Sequence, residues 1–213
     1  MALYVGSYKV VEQTAAHIAF SNLVMINGGI ISGYACACMI KAGHLAGMNN
    51  PEGLRLLIKR GIITCEGSFL LQYTFVSIFH APIFMFYTTD QAVLDRMKGL
   101  LLLYFFYGIF DVMMFIGGNL YKALKYGAWV TKIFMLSYYV VGGVALVVLS
   151  YTMDNKIYVA WLGFFVGSAC ITLTMWFKSR TIDLVKRCEE LHAEVEAEEH
   201  LIELDPRTPT DEA

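Results

Sequence analysis

The sequence predicts an all-α polytopic integral membrane helical bundle, with about five transmembrane helices and a C-terminal amphipathic helix. Of its 213 residues 57% are apolar and only 16% charged, whereas soluble domains carry about 25% charged residues. The apolar residues gather in five long runs. These runs lack the alternation of β-barrel strands, and backbone polar groups in lipid are otherwise paired only within helices.

Each run has about 20 residues or more, enough to cross about 30 Å of hydrocarbon at about 1.5 Å per residue. The predicted spans lie near residues 17–40, 62–87, 99–119, 128–151 and 157–177. The first span is the weakest because it contains Asn22, Asn27 and several glycines. The bundle thus occupies residues 1–177, and residues 178–213 form an inside-facing amphipathic helix with an acidic tail.

Two of the connections between the apolar runs contain residues that are typical of helix starts. Asn50 is suited to cap a helix that begins with Pro51. The apolar and basic residues that follow predict a short interfacial helix ended by Gly61. Thr88–Asp90 offers a second cap before the third span.

Basic residues beside the spans predict the orientation. Ten lie on the C-terminal side of the bundle and four on the other, so the C-terminus is expected inside and the N-terminus outside. If the first run does not span, four spans remain with both ends inside, and the charge bias is unchanged. Charge counting therefore leaves the number of spans open.

Four ionisable side chains lie within or at the ends of spans, where charge is costly and points to function. They are Glu66, His80, Asp111 and Lys132. Because they lie at different depths, they suggest a ladder that relays protons or ions. The alternative is structural: Asp111 or Glu66 pairs with Lys132, His80 hydrogen-bonds a neighbouring helix, and Pro82 kinks the second span near Ile78.

Small residues four apart predict close helix packing. Gly29 and Gly33 form such a pair in the first span, and Gly163 and Gly167 form another in the fifth. The partner helix belongs either to the same bundle or to another subunit.

Several Tyr and Trp residues near predicted span ends suggest membrane-interface belts. They are Tyr87, Tyr104, Tyr126, Trp129, Tyr158, Trp161 and Trp176.

The helix after the fifth span carries an apolar stripe formed by Leu184, Cys188, Leu191 and Val195. From Glu189 to the end of the chain there are ten acidic residues and one basic residue. The stripe packs either on other helices of the same chain or against another subunit. In the second case, a basic surface of that subunit would contact the acidic face of this helix.

The stretch Tyr139–Gly143, followed by Val147-Val148 and Tyr151-Thr152, resembles the glycine-pair helix of subunit six of mitochondrial NADH dehydrogenase. That family also has five spans, but its glycine pair lies in the third span and here the matching stretch is in the fourth. We assign no family from this stretch.

Catalytic and zinc-binding motifs are absent from the sequence. We therefore expect no metal, no cofactor apart from bound lipids, no nucleic-acid partner and no catalytic activity of its own. The expected partners are the lipid bilayer and other membrane subunits.

The preferred function is a structural or accessory subunit of a larger membrane complex. A respiratory or ATP synthase complex of the mitochondrial inner membrane is the first choice, since neither sequons nor disulfide patterns occur. One alternative is a proton or ion channel or small-solute transporter that uses Glu66, Asp111 and His80. A further alternative is a b-type haem protein using His17 and His80, or a membrane enzyme subunit.

Overall fold

The computed structural model describes residues 11–203 and folds them into seven helices without strands, which confirms the all-α fold. The helices are α1 Val11–Gly47, α2 Pro51–Ile78, α3 His80–Met85, α4 Gln91–Ala123, α5 Gly127–Thr152, α6 Lys156–Ser179 and α7 Leu184–Glu203. The acidic tail predicted after residue 203 lies outside the described residues.

Four helices are long and apolar enough to cross a membrane: α1, α4, α5 and α6. They contain the first, third, fourth and fifth predicted spans. The second predicted span, 62–87, is divided between α2 and α3. Its polar residues, among them Glu66 and Gln72, lower the hydropathy of α2, and a crossing by this helix stays a prediction.

Helix α2 begins as predicted, because Asn50 Oδ1 accepts a hydrogen bond from the Gly53 amide at 2.8 Å. The prediction that Gly61 ends this helix is wrong, since α2 continues through it. A Cβ at Gly61 would lie 3.0 Å from Cys38 Sγ and 3.2 Å from Ile116 Cδ1. The glycine therefore allows α1 and α4 to approach α2 closely.

The kink predicted near Ile78 is present, because regular helix is interrupted at Phe79 (φ −101°, ψ 24°). Pro82 has no amide hydrogen to donate to the Ile78 carbonyl, which weakens the helix there. His80 Nδ1 lies 2.9 Å from the Ser77 carbonyl oxygen. The imidazole thus satisfies a carbonyl of its own helix at the kink.

Helix α4 is central and packs against α1, α2 and α6, while α5 packs mainly on α6. The main core contains T-shaped ring pairs joining Phe20 to Tyr104 and Trp161, and Phe69 to Tyr104. Tyr104 and Trp161 are each only 3% exposed. These two rings therefore face other helices and not lipid, a distinction that hydropathy alone does not make.

Helices α5 and α6 cross at glycines. A Cβ at Gly142 would lie 3.0 Å from the Gly163 carbonyl oxygen, and one at Gly167 would lie 2.7 Å from Tyr138 Cδ1. At this crossing α5 contains a π-helical segment, Leu136–Gly142. Gly163 and Gly167 thus face a neighbouring helix of the same bundle.

The glycine pair of α1 is placed differently. A Cβ added to Gly29 or Gly33 would meet no atom within 4 Å. The structure therefore shows no helix packed on these two glycines within the described part of the chain.

Helix α7 lies against α1 and α2 with its apolar stripe turned toward the bundle. Cys188 and Leu191 are 0% and 4% exposed, Leu184 is half-buried, and only Val195 keeps 37% exposure. The stripe therefore contacts the chain's own helices and is not presented to another subunit.

Polar contacts join α7 to the turns that follow α1 and α4. Arg187 donates hydrogen bonds from Nε and Nη2 to the Leu124 carbonyl at 3.1 and 3.0 Å. His192 Nδ1 lies 2.6 Å from the Gly47 carbonyl oxygen. Lys125 forms an ion pair with Glu194, and its hydrogen bond lowers the pKa of that carboxyl below the ordinary value. The cationic side chains of Arg187 and Lys125, so placed at the C-terminal end of α4, also favour the dipole of that helix.

We expect Arg187→Met to destabilise the folded protein by about 1.5–3 kcal/mol, the range for a hydrogen bond to a charged group. The substitution leaves the Leu124 carbonyl without these two donors. Thermal unfolding in mild detergent measures the effect, with exposed Lys186→Met as the matched control. Equal melting temperatures for the two variants would contradict the role given to Arg187.

Candidate functional site

A carboxylate lies within the central helix, more than three turns from either end. Asp111 belongs to α4, with twenty residues of the helix before it and twelve after it. Its side chain is half-buried, and Oδ1 accepts a hydrogen bond from the Tyr107 hydroxyl at 2.8 Å. Residues four apart lie on one face of a helix, so Tyr107 holds the carboxylate from the preceding turn.

Aromatic rings of α6 pack against the Tyr107 ring, and a ring of α5 packs against them. Tyr107 is 8% exposed, and its ring centroid lies 5.8 Å from that of Trp161 and 6.4 Å from that of Phe164 on α6. Tyr138 of α5 extends the group, with its ring 6.0 Å from Phe164. We call these four residues the aromatic cluster. Such rings attract cations to their faces.

The Asp111 carboxylate is only partly satisfied. Its second oxygen accepts no hydrogen bond from residues 11–203. Within the same range, the buried Trp161 Nε1 has no hydrogen-bond partner. Charge at this depth is costly unless it is paired, so the free oxygen is suited to bind a proton or a cation.

The other predicted ionisable residues do not join Asp111. Glu66 is half-buried on α2, and its Oε1 has no hydrogen-bond partner in the described chain. His80 bonds its own helix rather than a neighbouring one. Lys132 is exposed and makes no ion pair with any described carboxylate, so the expected pairing with Asp111 or Glu66 is not found.

The two histidines considered for haem make separate contacts. His17 is buried on α1 with its ring 5.9 Å from that of Trp161. His80 instead lies against Phe84, with centroids 5.9 Å apart. Among residues 11–203, no three His, Cys, Asp or Glu side chains gather in a way that could hold a metal ion.

Sequence reasoning identified Asp111 but missed Tyr107 and the aromatic cluster. The four-residue spacing of Tyr107 and Asp111 was an available signal for a shared helix face. No such signal linked Asp111 to Trp161, Phe164 and Tyr138, because they come from other helices.

We expect Tyr107→Phe to lower the free energy of unfolding by about 1.5–3 kcal/mol, the range for a hydrogen bond to a charged group. The change removes only the hydroxyl that donates to Asp111 and leaves the ring packed on Trp161. Thermal unfolding in mild detergent measures the effect, and Tyr139→Phe is the control because Tyr139 is exposed. Equal melting temperatures for the two variants would contradict the assigned role.

Comparisons with known proteins relate this fold to transporters. The family described as MatE matches residues 1–149. Multidrug and toxin extrusion protein 1 of Danio rerio is 23% identical over 145 residues, which are 68% of this chain and 24% of that protein. The crystal structure of the eukaryotic MATE transporter AtDTX14 has a similar fold, with a TM-score of 0.75 at 14% identity over 87% of this chain and 42% of that one.

These findings overturn the preferred function. The prediction of an accessory subunit in a mitochondrial respiratory or ATP synthase complex is wrong, because the family and the relatives are transporters. Tight-packing glycines, short loops and a charged helix are features that transporters share with such subunits. Placement in a membrane is confirmed by the family and the apolar helices.

Proposed function

The chain belongs to the MatE family, and on this basis we propose that it works in a transporter that exports small molecules across the membrane. The name of the Danio rerio relative describes extrusion of drugs and toxins by that protein. This chain spans 24% of that relative. The observation that carries the proposal is Asp111, a half-satisfied carboxylate in the interior of a helix long enough to span the membrane.

The chemistry of the site favours flat organic cations as substrates. The free oxygen of Asp111 supplies negative charge, and the nearby aromatic cluster supplies apolar surface and ring faces. A cation over an aromatic face gains about 0.5–2 kcal/mol. A neutral solute of the same shape gains neither the attraction to the Asp111 carboxylate nor the cation–π attraction to the rings.

Proton and substrate would share one carboxylate. When Asp111 is ionised it attracts the cation, and a proton that binds it removes that attraction. Tyr107 helps to hold the ionised form by donating its hydroxyl. Because the two ligands compete, proton entry from one side favours substrate release on that side, which couples export to the proton gradient.

The crossing of α5 and α6 offers a place for the conformational change. Tyr138 belongs both to the aromatic cluster and to the π-helical segment Leu136–Gly142. Such segments are frequent at functional sites and mark departures from regular helix. With Gly142 against Gly163, the crossing has little side-chain bulk to obstruct a shift of α5 on α6.

We further propose that the C-terminus lies inside and the N-terminus outside. Ten basic residues beside the predicted spans lie on the C-terminal side and four on the other. Protease protection of a C-terminal epitope tag in intact cells tests this proposal. Protection until the membrane is permeabilised is expected, and cleavage in intact cells would contradict it.

The proposed function is tested by reconstituting the protein into liposomes and imposing an inside-acid pH gradient. Ethidium, a flat aromatic cation, should accumulate only in liposomes that contain protein, and a proton ionophore should abolish the accumulation. Equal accumulation in protein-free liposomes, or accumulation insensitive to the ionophore, would contradict proton-coupled transport of this substrate class.

A further inference from the structure

An apolar cavity of about 310 Å³ opens between α2, α4 and α6 at the end of the bundle that carries α7. Along α4 it extends from Met113 to Leu124, eleven residues apart, or about 16 Å at the helical rise. This length is close to half of a hydrocarbon core of about 30 Å. The stretch of α4 and its C-cap that lines the cavity is therefore about as long as one bilayer leaflet is thick.

Polar side chains in the cavity wall are already hydrogen-bonded to the backbone. The Tyr121 hydroxyl donates to the Met175 carbonyl at 2.7 Å, and Thr172 Oγ1 donates to the Phe110 carbonyl at 3.0 Å. Ser179 Oγ likewise donates to a carbonyl of its own helix. A hydrocarbon chain fits such a wall because the wall offers little to a polar ligand.

The α7 end of the cavity carries positive charge. The Arg180 guanidinium lies 4.6 Å from the ring centroid of Trp176, which lines the cavity. Arg180 makes no ion pair with any carboxylate in residues 11–203. The nearest acidic residue in sequence, Asp183, is engaged at the start of α7, where Oδ1 accepts a hydrogen bond from the Val185 amide at 3.0 Å.

A second helix adds basic residues at the same end. Arg55 precedes Ile58 by three positions on α2, and Ile58 lines the cavity. Residues three or four apart share a helix face, which places Arg55 one turn from the cavity on the α7 side. Arg55 also lacks an ion pair among the described residues.

We propose that this cavity binds an acyl chain of an anionic glycerophospholipid, with the phosphate of the headgroup at Arg180. Basic pockets between transmembrane helices are a general means of binding anionic headgroups. A zwitterionic lipid has the same acyl chains and therefore fits the cavity. Because it carries no net charge, its headgroup is attracted less strongly to Arg180 at the rim of the cavity. This site is separate from Asp111 and goes beyond the transport function.

The test is native mass spectrometry of the purified full chain in mild detergent, titrated with dioleoyl phosphatidylglycerol or dioleoyl phosphatidylcholine. We expect tighter binding of phosphatidylglycerol. Arg180→Gln should weaken that binding about fivefold, the factor for one basic residue near an anionic surface, and should weaken binding of phosphatidylcholine less. Arg180→Lys should keep the preference, and exposed Lys41→Gln is the matched control.

Ser179→Leu tests the cavity itself. Ser179 is exposed and lines the cavity, so the larger side chain fills space there at little cost to the fold. It should weaken binding of both lipids. Equal affinities of the wild-type chain for the two lipids would overturn the headgroup assignment, as would unchanged binding by Arg180→Gln. Unchanged binding by Ser179→Leu would overturn the assignment of the cavity.

Discussion

Replacing Asp111 with asparagine should abolish proton-driven transport of ethidium and leave the folded protein intact. Asparagine has nearly the same shape and still accepts the hydrogen bond from Tyr107. It cannot ionise, so it neither attracts a cation nor carries the coupling proton. The measurement is ethidium accumulation in proteoliposomes under an inside-acid gradient.

The matched control for this experiment is Asp154→Asn. Asp154 is exposed in the connection between α5 and α6, so the same chemical change occurs away from the aromatic cluster. It should transport like the wild-type protein. Thermal unfolding in detergent checks that both variants fold. Retained transport by a folded Asp111→Asn variant would remove this carboxylate from the mechanism.

Gly108→Ala should destabilise the bundle by about 1–3 kcal/mol, the usual cost of overpacking a core. A Cβ at Gly108 would overlap the ring of Phe69. Phe69 is fully buried, with its ring 5.7 Å from that of Tyr104 and 6.1 Å from that of Tyr73. The ring therefore has little room to move away from a new methyl group.

Gly29→Ala is the matched control, because a Cβ there meets nothing within 4 Å. This substitution should leave the free energy of unfolding unchanged or raise it slightly, since alanine is the better helix former. The double variant Gly108→Ala with Phe69→Leu should lose less stability than the sum of the losses in the two single variants. Equal melting temperatures for Gly108→Ala and Gly29→Ala would contradict the close packing of α2 on α4.

Much of the fold could be predicted from the sequence because hydropathy and helix-start chemistry are local properties. The Asn50 cap formed as expected, and Asp90 Oδ1 accepts the Ala92 amide at 2.9 Å at the start of α4. The continuation of α2 through Gly61 could not be predicted, because it depends on contacts with Cys38 and Ile116 from distant parts of the chain.

The site was predictable only in part. A carboxylate in an apolar run is conspicuous, which is why Asp111 stood out before its surroundings were known. Its aromatic neighbours on α5 and α6 required the three-dimensional arrangement. The transporter was kept only as an alternative because features such as Gly163 and Gly167 indicate tight helix packing in any membrane bundle, whether its role is structural or transport.

Proton release on substrate binding tests the central claim most directly. The purified protein is placed in weakly buffered mild detergent with a pH-indicator dye, and ethidium is added. If cation and proton compete for Asp111, wild-type protein should release protons, increasingly as the starting pH is lowered and more of this carboxyl is protonated. The folded Asp111→Asn variant should release none. Ethidium binding without proton release at any pH, or equal release by the variant, would contradict the account.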